Sequence, residues 1–221
     1  MIVAIDGPAG AGKSTIARMI AARRGWTYLD TGAMYRTVTL LALEQGMDPG
    51  AADELGQLSN NIEMSFQPGP DGLPRVFAGC REVTEEIRSP GVTAAVSEVS
   101  AHASVREAMV EMQRAMTAVG DVVVDGRDIG TVVCPNAEVK IFLTASNSER
   151  ARRRRLELEA KGIDVPQEKM EQDISARDEY DSSRKVSPLK AADDAVNLDT
   201  TDLGIDKVVD RVSDIIDAKS S

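Results

Sequence analysis

Eight residues near the start of the chain, Gly7-Pro8-Ala9-Gly10-Ala11-Gly12-Lys13-Ser14, fit the pattern GxxxxGK[ST] in full. The chemistry of that pattern is anion binding. Its glycines let the backbone bend until successive N–H groups point at phosphate oxygens. A helix beginning at the end of the pattern presents its positive pole to the same anion. Lys13 is expected to bridge the β- and γ-phosphates of a nucleoside triphosphate, and Ser14 to hold Mg²⁺ through its hydroxyl.

Three further groups have the right types to complete such a site. Asp125-Gly126-Arg127-Asp128 follows the apolar run Val122–Val124. Asp125 is placed like an acid that reaches Mg²⁺ through water, and Gly126 permits the turn that points Arg127 into a crevice. Arg150-Ala151-Arg152-Arg153-Arg154-Arg155 holds five arginines in six residues, and on a helix Arg150, Arg153 and Arg154 share a face. They could converge on polyphosphate, or form a solvated face paired with Glu149, Glu157 and Glu159, or form a nucleic-acid patch. Arg177, Asp181 and Arg184 are spaced i, i+4, i+7. Two guanidiniums flanking a carboxylate suit bidentate phosphate binding beside a ribose hydroxyl, or a surface ion-pair ladder.

The elements that must position these groups alternate between strand and helix. Ile2–Ile5 is a short apolar run that predicts a buried strand, and Lys13–Arg24 carries Ile16, Ala17, Ile20 and Ala21 at helical spacing up to Gly25. Trp26–Leu29 predicts a second strand. A helix capped by Thr31 should run to about Gly46, and another should cover about 51–60. Residues 62–66 and 75–84, around a Pro- and Gly-rich turn at 68–74, predict antiparallel strands, with a long loop as the alternative. Val92–Ala118 predicts one long helix. Val122–Val124, Val139–Leu143 and Ala195–Leu198 predict strands, and 148–161, 167–181 and 205–218 predict helices. This alternation implies an α/β fold with a parallel central sheet and helices on both faces. Asp6–Gly7, Asp30–Thr31 and Asp125–Gly126 then fall at the carboxyl ends of strands, where such folds bind ligands.

The chain has 221 residues and a formal net charge of −10, which disfavours general binding to nucleic acid or an anionic membrane. Two cysteines, Cys80 and Cys134, form no CxxC pair, and the lone histidine, His102, makes His-based metal or Ser-His-Asp chemistry untenable. All three are expected to be structural or near-surface. There is no apolar run of 18 residues and no basic leader, so the cytoplasm is expected. No N-K-x-D guanine-reading tetrad occurs, which lowers a GTPase reading.

Together these pieces make the chain resemble the bacterial cytidylate kinase (CMP kinase) family. The resemblance is carried by Ile5-Asp6-Gly7-Pro8 through Ser14-Thr15, Leu29-Asp30-Thr31-Gly32-Ala33-Met34-Tyr35-Arg36, Asp125-Gly126-Arg127-Asp128-Ile129-Gly130-Thr131-Val132-Val133, Lys140-Ile141-Phe142-Leu143, and the segment Arg177 to Arg184. It covers nearly the whole chain. It implies a P-loop NTPase-type three-layer fold forming one kinase domain over 1–221. Within that domain it implies a nucleoside-monophosphate-binding region at about 31–118, an antiparallel insert at about 61–84 and a lid at about 148–165. It also implies transfer of the γ-phosphoryl group of ATP, with Mg²⁺, to CMP or dCMP by a monomeric enzyme.

By matching position, ATP would be held by Gly7, Pro8, Ala9, Gly10, Ala11, Gly12, Lys13, Ser14 and Thr15, with Arg150 and Arg154 from the lid. Tyr35, Arg36, Arg127 and Arg177 would grip the acceptor phosphate, with Asp125 and Gly126 lining it. Ser97, Arg106 and Asp128 would read the cytosine edge. Asp181 would take the sugar hydroxyls beside Thr31 and Arg184. Lys13, Arg127, Arg153, Arg177 and Arg184 would carry the catalytic charge. Two rival readings are a kinase of another small acceptor and a non-catalytic ATP-binding module.

Overall fold

The computed structural model describes residues 1–69, 74–160 and 162–220. Part of the Pro- and Gly-rich turn expected at 68–74, and Lys161 within the expected lid, lie outside the described residues. A five-stranded parallel sheet forms from β1 (Ile2–Asp6), β2 (Thr27–Asp30), β6 (Val122–Asp125), β7 (Val139–Thr144) and β8 (Val196–Asp199) in the order β2-β6-β1-β7-β8. A second, antiparallel sheet runs β3 (Met64–Pro68), β4 (Pro74–Ala78), β5 (Arg81–Glu82). The chain divides into two compact units, Met1–Trp26 with Val123–Ser221, and Thr27–Val122.

In the first unit β1 and β6 are apolar up to their terminal aspartates, as strands covered on both faces are, whereas β8 is largely exposed. Val3, Ala4, Ile5, Val123, Val124, Ile141 and Leu143 are all buried. β1 and β7 pair in parallel from Val3↔Val139 to Asp6↔Phe142, so the phosphate loop leaves the sheet beside Phe142 and Leu143. Helix α1 (Lys13–Arg24) buries Ile16, Ala17, Ile20 and Ala21 and ends at Gly25, whose left-handed backbone turns its N–H to Ala21 and Ala22. The closing helix α8 (Ile205–Ser220) packs against α1 and β7 with Val208, Val209, Val212 and Ile216. Helices α6 (Asn147–Glu159) and α7 (Gln167–Ser183) join through Ala151, Met170 and Ile174.

In the second unit, helix α2 (Thr31–Glu44) begins one residue earlier in function than the sequence suggests. Its cap is Asp30, not Thr31: Asp30 has extended backbone and its carboxylate accepts the Ala33 N–H at 2.9 Å. Thr31 already lies in the first turn, where its side chain cannot take the cap position. The antiparallel sheet pairs Met64↔Ala78 through Pro68↔Pro74. Val76, Val83, Ile87 and Val92 close over Ala33 and Leu40 of α2, with Phe66 and Ala78 packed against them.

The single helix expected over 92–118 is in fact two, α4 (Pro90–Val99) and α5 (Ala103–Thr117). No Gly or Pro marks the break; tertiary bonds make it. His102 takes an extended backbone and its Nε2 bonds the Pro49 carbonyl at 2.7 Å. Ser104 donates to the Ala52 carbonyl at 2.7 Å, docking α5 on α3 (Ala52–Asn61). The Arg106 guanidinium takes the Ser100 carbonyl at 3.1 Å, one of those the ended helix leaves over. His102 is thereby a structural residue. Asp30→Ala should lower stability by about 0.5–2 kcal/mol in denaturant unfolding, the range for a lost N-cap; an unchanged midpoint would mean another group caps α2.

Candidate active site

The site in the first unit starts where β1 ends. Gly7 has φ 146°, and a Cβ there would stand 2.0 Å from the Leu143 carbonyl oxygen, so no other residue fits. Gly10 has φ 74° and lies against the backbone of Arg150, 3.0 Å from where its Cβ would be. Lys13 is buried and its Nζ donates to the Pro8 carbonyl at 2.8 Å, closing the loop on itself. Burial drives the Lys13 pKa well below its ordinary value, the charges of Arg127 and Arg177 push the same way, and Asp125 and Asp6 oppose them. Arg127 and Arg177 therefore bring positive charge to the neighbourhood of Lys13 in an acidic chain. The Ser14 hydroxyl donates to an Asp125 carboxylate oxygen at 2.8 Å.

Asp125 ends β6, and the turn after it is pinned twice. The Gly126 N–H bonds the Ile5 carbonyl at 3.1 Å. The buried Asp6 carboxylate accepts the Ile129 and Gly130 N–H groups at 2.8 and 2.7 Å. These bonds hold a short π-helical turn, Ile129–Val133, that no sequence pattern announced. Burial raises the Asp6 pKa to about 6; the two amides pull it down, and Asp128 pushes it up. Arg127 pairs through Nε with Asp181 Oδ2 at 3.1 Å, and Arg184 pairs with the other Asp181 oxygen at 2.5 Å. Asp181 is 1% exposed and gathers both guanidiniums on the inner face of α7. Asp128 is buried just before the π turn.

The arginine run on α6 divides. Arg150 and Arg153 turn to the phosphate loop: their Nη1 atoms reach the Ala9 and Ala11 carbonyls at 3.0 and 3.4 Å. Arg153 also donates to the Thr200 hydroxyl and carbonyl at 3.0 and 2.7 Å. Arg152, Arg154 and Arg155 pair with Glu149, Glu157 and Glu159, as expected of a solvated face. Arg152 and Arg155 line a cavity of about 440 Å³ with Asp164, Val165 and Pro166, apart from the loop.

In the second unit, the Arg106 guanidinium is buried and sits 5.2 Å from the centre of the Tyr35 ring. Arg36 donates to the Ile87 carbonyl and the Thr93 hydroxyl at 3.1 and 2.9 Å. Ser97 lies on α4 and buried Thr31 at the start of α2. Three residues that sequence reasoning did not single out also bear on the phosphate loop or the turn beside it. They are Asp6, placed in the sequence only as a strand end, Asp178, inside a charged block, and Thr200, after the last strand. Only Asp6, a carboxylate directly before the glycine pattern, had a signal.

A parallel sheet with a phosphate loop after its first strand, facing a carboxylate at the end of β6, defines the P-loop kinase class of nucleotide-binding enzymes. The shikimate kinase of Bacteroides thetaiotaomicron shares that fold, with TM-score 0.50 and 12% identity over 98% of both chains. The chain belongs to the cytidylate kinase family, whose model matches residues 3–218. It is 53% identical to a cytidylate kinase of Exiguobacterium sibiricum over 96% of this chain and 95% of that one. It is 50% identical to one from Carboxydothermus hydrogenoformans over 100% and 99%. It is also 51% identical to 44% of a bifunctional pantoate ligase/cytidylate kinase of a Synechococcus strain.

A carboxyl held above its ordinary value of 3.8 stabilises the fold fully below that value and loses the contribution as pH rises through about 6. The stability advantage of the native chain over Asp6→Asn should therefore shrink between pH 4 and pH 7, by up to ~3 kcal/mol. Paired urea titrations at the two pH values read this; a difference independent of pH would mean that Asp6 is charged at both.

Proposed function

We propose that the protein transfers the γ-phosphoryl group of ATP to CMP or dCMP, giving ADP and the diphosphate. The observation that carries the reading is the clustering of Lys13, Arg127 and Arg177 beside the Ser14–Asp125 pair. Membership of the cytidylate kinase family supports the choice of acceptor. An oxygen of the CMP phosphate attacks the γ-phosphorus in line, the bond to the bridging oxygen breaks, and ADP leaves with the electron pair. That oxygen is already nucleophilic, so no strong base is needed, which suits a chain without a catalytic His or Cys. Catalysis is then alignment and charge neutralisation.

The residues divide by phosphate. The loop from Gly7 to Thr15 holds the β- and γ-phosphates of ATP with the Lys13 side chain and its amides, apart from Pro8, which has no N–H, and Ala9, whose N–H is on Asp178. Ser14 and Asp125 offer a hydroxyl and a carboxylate, the oxygen donors that Mg²⁺ prefers, and Mg²⁺ arriving with ATP would neutralise charge on the transferring group. Arg153, Arg177 and Arg184 stabilise charge on the transferring oxygens, with Arg154 on ATP. Arg127, Gly126, Tyr35 and Arg36 serve the acceptor phosphate. Ser97, Arg106 and Asp128 read cytosine, and Thr31 and Asp181 attend the sugar. Arg150 has its donors on Ala145, Ala9, Asn147 and Asp178, so it serves ATP through the loop. The net charge of −10 supports a protein that works away from nucleic acid and anionic membranes. We take it to act as a cytoplasmic monomer.

Three experiments test this reading. ADP release across CMP, dCMP, UMP, AMP and dTMP should favour the cytidine nucleotides, and Lys13→Ala should lower kcat/KM at least ~100-fold with the fold intact. Preference for another acceptor, or near-normal turnover of the variant, would overturn it. Arg106→Met should cut the preference for CMP over UMP about tenfold or more while leaving KM for ATP near its native value. An unchanged preference would remove Arg106 from base recognition.

A further inference from the structure

The phosphate loop is shaped from outside as well as inside. Its peptides are trans, so each carbonyl points opposite to the N–H of the next residue. Holding the Ala9 carbonyl outward therefore aims the Gly10 N–H inward, and holding the Ala11 carbonyl does the same for Gly12. Arg150 and Arg153 take these two carbonyls, at 3.0 and 3.4 Å. A guanidinium can fix a loop only if it is fixed itself. Arg153 is held by Glu149 and Thr200.

Arg150 is held by Asp178. Oδ2 of Asp178 takes the same Arg150 Nη1 that bonds Ala9, while its Oδ1 accepts the Ala9 N–H at 3.3 Å. One carboxylate thus grips the loop on both sides of Ala9, once directly and once through Arg150. The pair is shielded, with side chains 8% and 20% exposed, so water replaces a lost partner less well than at an open surface. From this geometry we infer that Asp178 is a positioning residue for ATP binding: it locks Arg150 and Ala9 so that the loop amides face the phosphates before nucleotide arrives. The inference rests on the reading of the loop as the ATP site. It requires nothing about the acceptor.

Calorimetric titration of MgATP without acceptor, into the native chain, Asp178→Asn and Asp178→Ala, tests it. Asparagine keeps an oxygen for the Ala9 N–H but loses the charge that holds Arg150; alanine loses both. Affinity for ATP should fall about tenfold in Asp178→Ala and by less in Asp178→Asn, with circular dichroism unchanged and KM for CMP within about twofold. Asp178→Asn, nearly isosteric, carries the test if the alanine variant does not fold. Native affinity for ATP in the folded variants, or equal losses for ATP and CMP, would overturn the inference, the latter because it would point to general damage to α7. The titration is independent of turnover, so failure of the acceptor panel would remove the CMP reading and leave this result standing.

Discussion

The balance of charge around buried Lys13 is the constraint around which the first unit is organised. Lys13 is buried, and the nearby charges of Arg127 and Arg177 act on it unfavourably. Like charges in a shielded site repel strongly, and desolvation adds to the penalty. The structure offsets this with carboxylates placed at strand ends and on one helix. Asp125 and Asp6 act on Lys13, and Asp181 holds Arg127 and Arg184. The excess of acidic residues in the chain as a whole does not contradict an anion site. It supplies the partners that keep the guanidiniums in place.

The same strand ends set the backbone. Asp6 ends β1, and its carboxylate binds the two amides that begin the π turn after β6. The Ile5 carbonyl takes the Gly126 N–H in the same region. One strand end therefore both launches the phosphate loop and fixes the turn bearing Arg127 and Asp128. That dual use explains why Asp6 stays buried although burial raises its pKa to about 6. Two short bonds to main-chain donors offset part of the desolvation, as hydrogen bonds to a carboxylate generally do.

Much of this was legible in the sequence because it is local. The apolar run before Gly7, the spacing of Ile16, Ala17 and Ile20, and Gly25 as a terminator specify a strand, a loop and helix α1 within their own residues. Asp125 at the end of an apolar triplet could be read the same way. What stayed illegible depends on distant partners. The break before His102 follows from a bond to Pro49 that periodicity cannot register, and helical spacing on both sides hid it. The cap of α2 moved by one residue because Asp and Thr are both good caps and only geometry decides between them. Arginine spacing on α6 could show which guanidiniums share a face. It could not show that Arg150 spends its donors on main-chain carbonyls and Asp178.

The division of the arginine run also ranks those side chains by how easily a nucleotide could draw on them. Arg154 is paired with Glu157 one turn along the same helix, and both are open to water. Such pairs are worth about 0–1 kcal/mol, so a phosphate can outcompete the glutamate with little loss. Arg150 is different: its pair with Asp178 is shielded, with side chains 8% and 20% exposed, so breaking it costs more than breaking an open pair. Arg153 stands between them, half-buried and shared among Glu149, Thr200 and Ala11. Within one helix, then, a single residue type takes three roles: a fixed strut, an intermediate, and a side chain that moves at small cost. The difference lies in burial and partner, and the bare run of arginines carries neither.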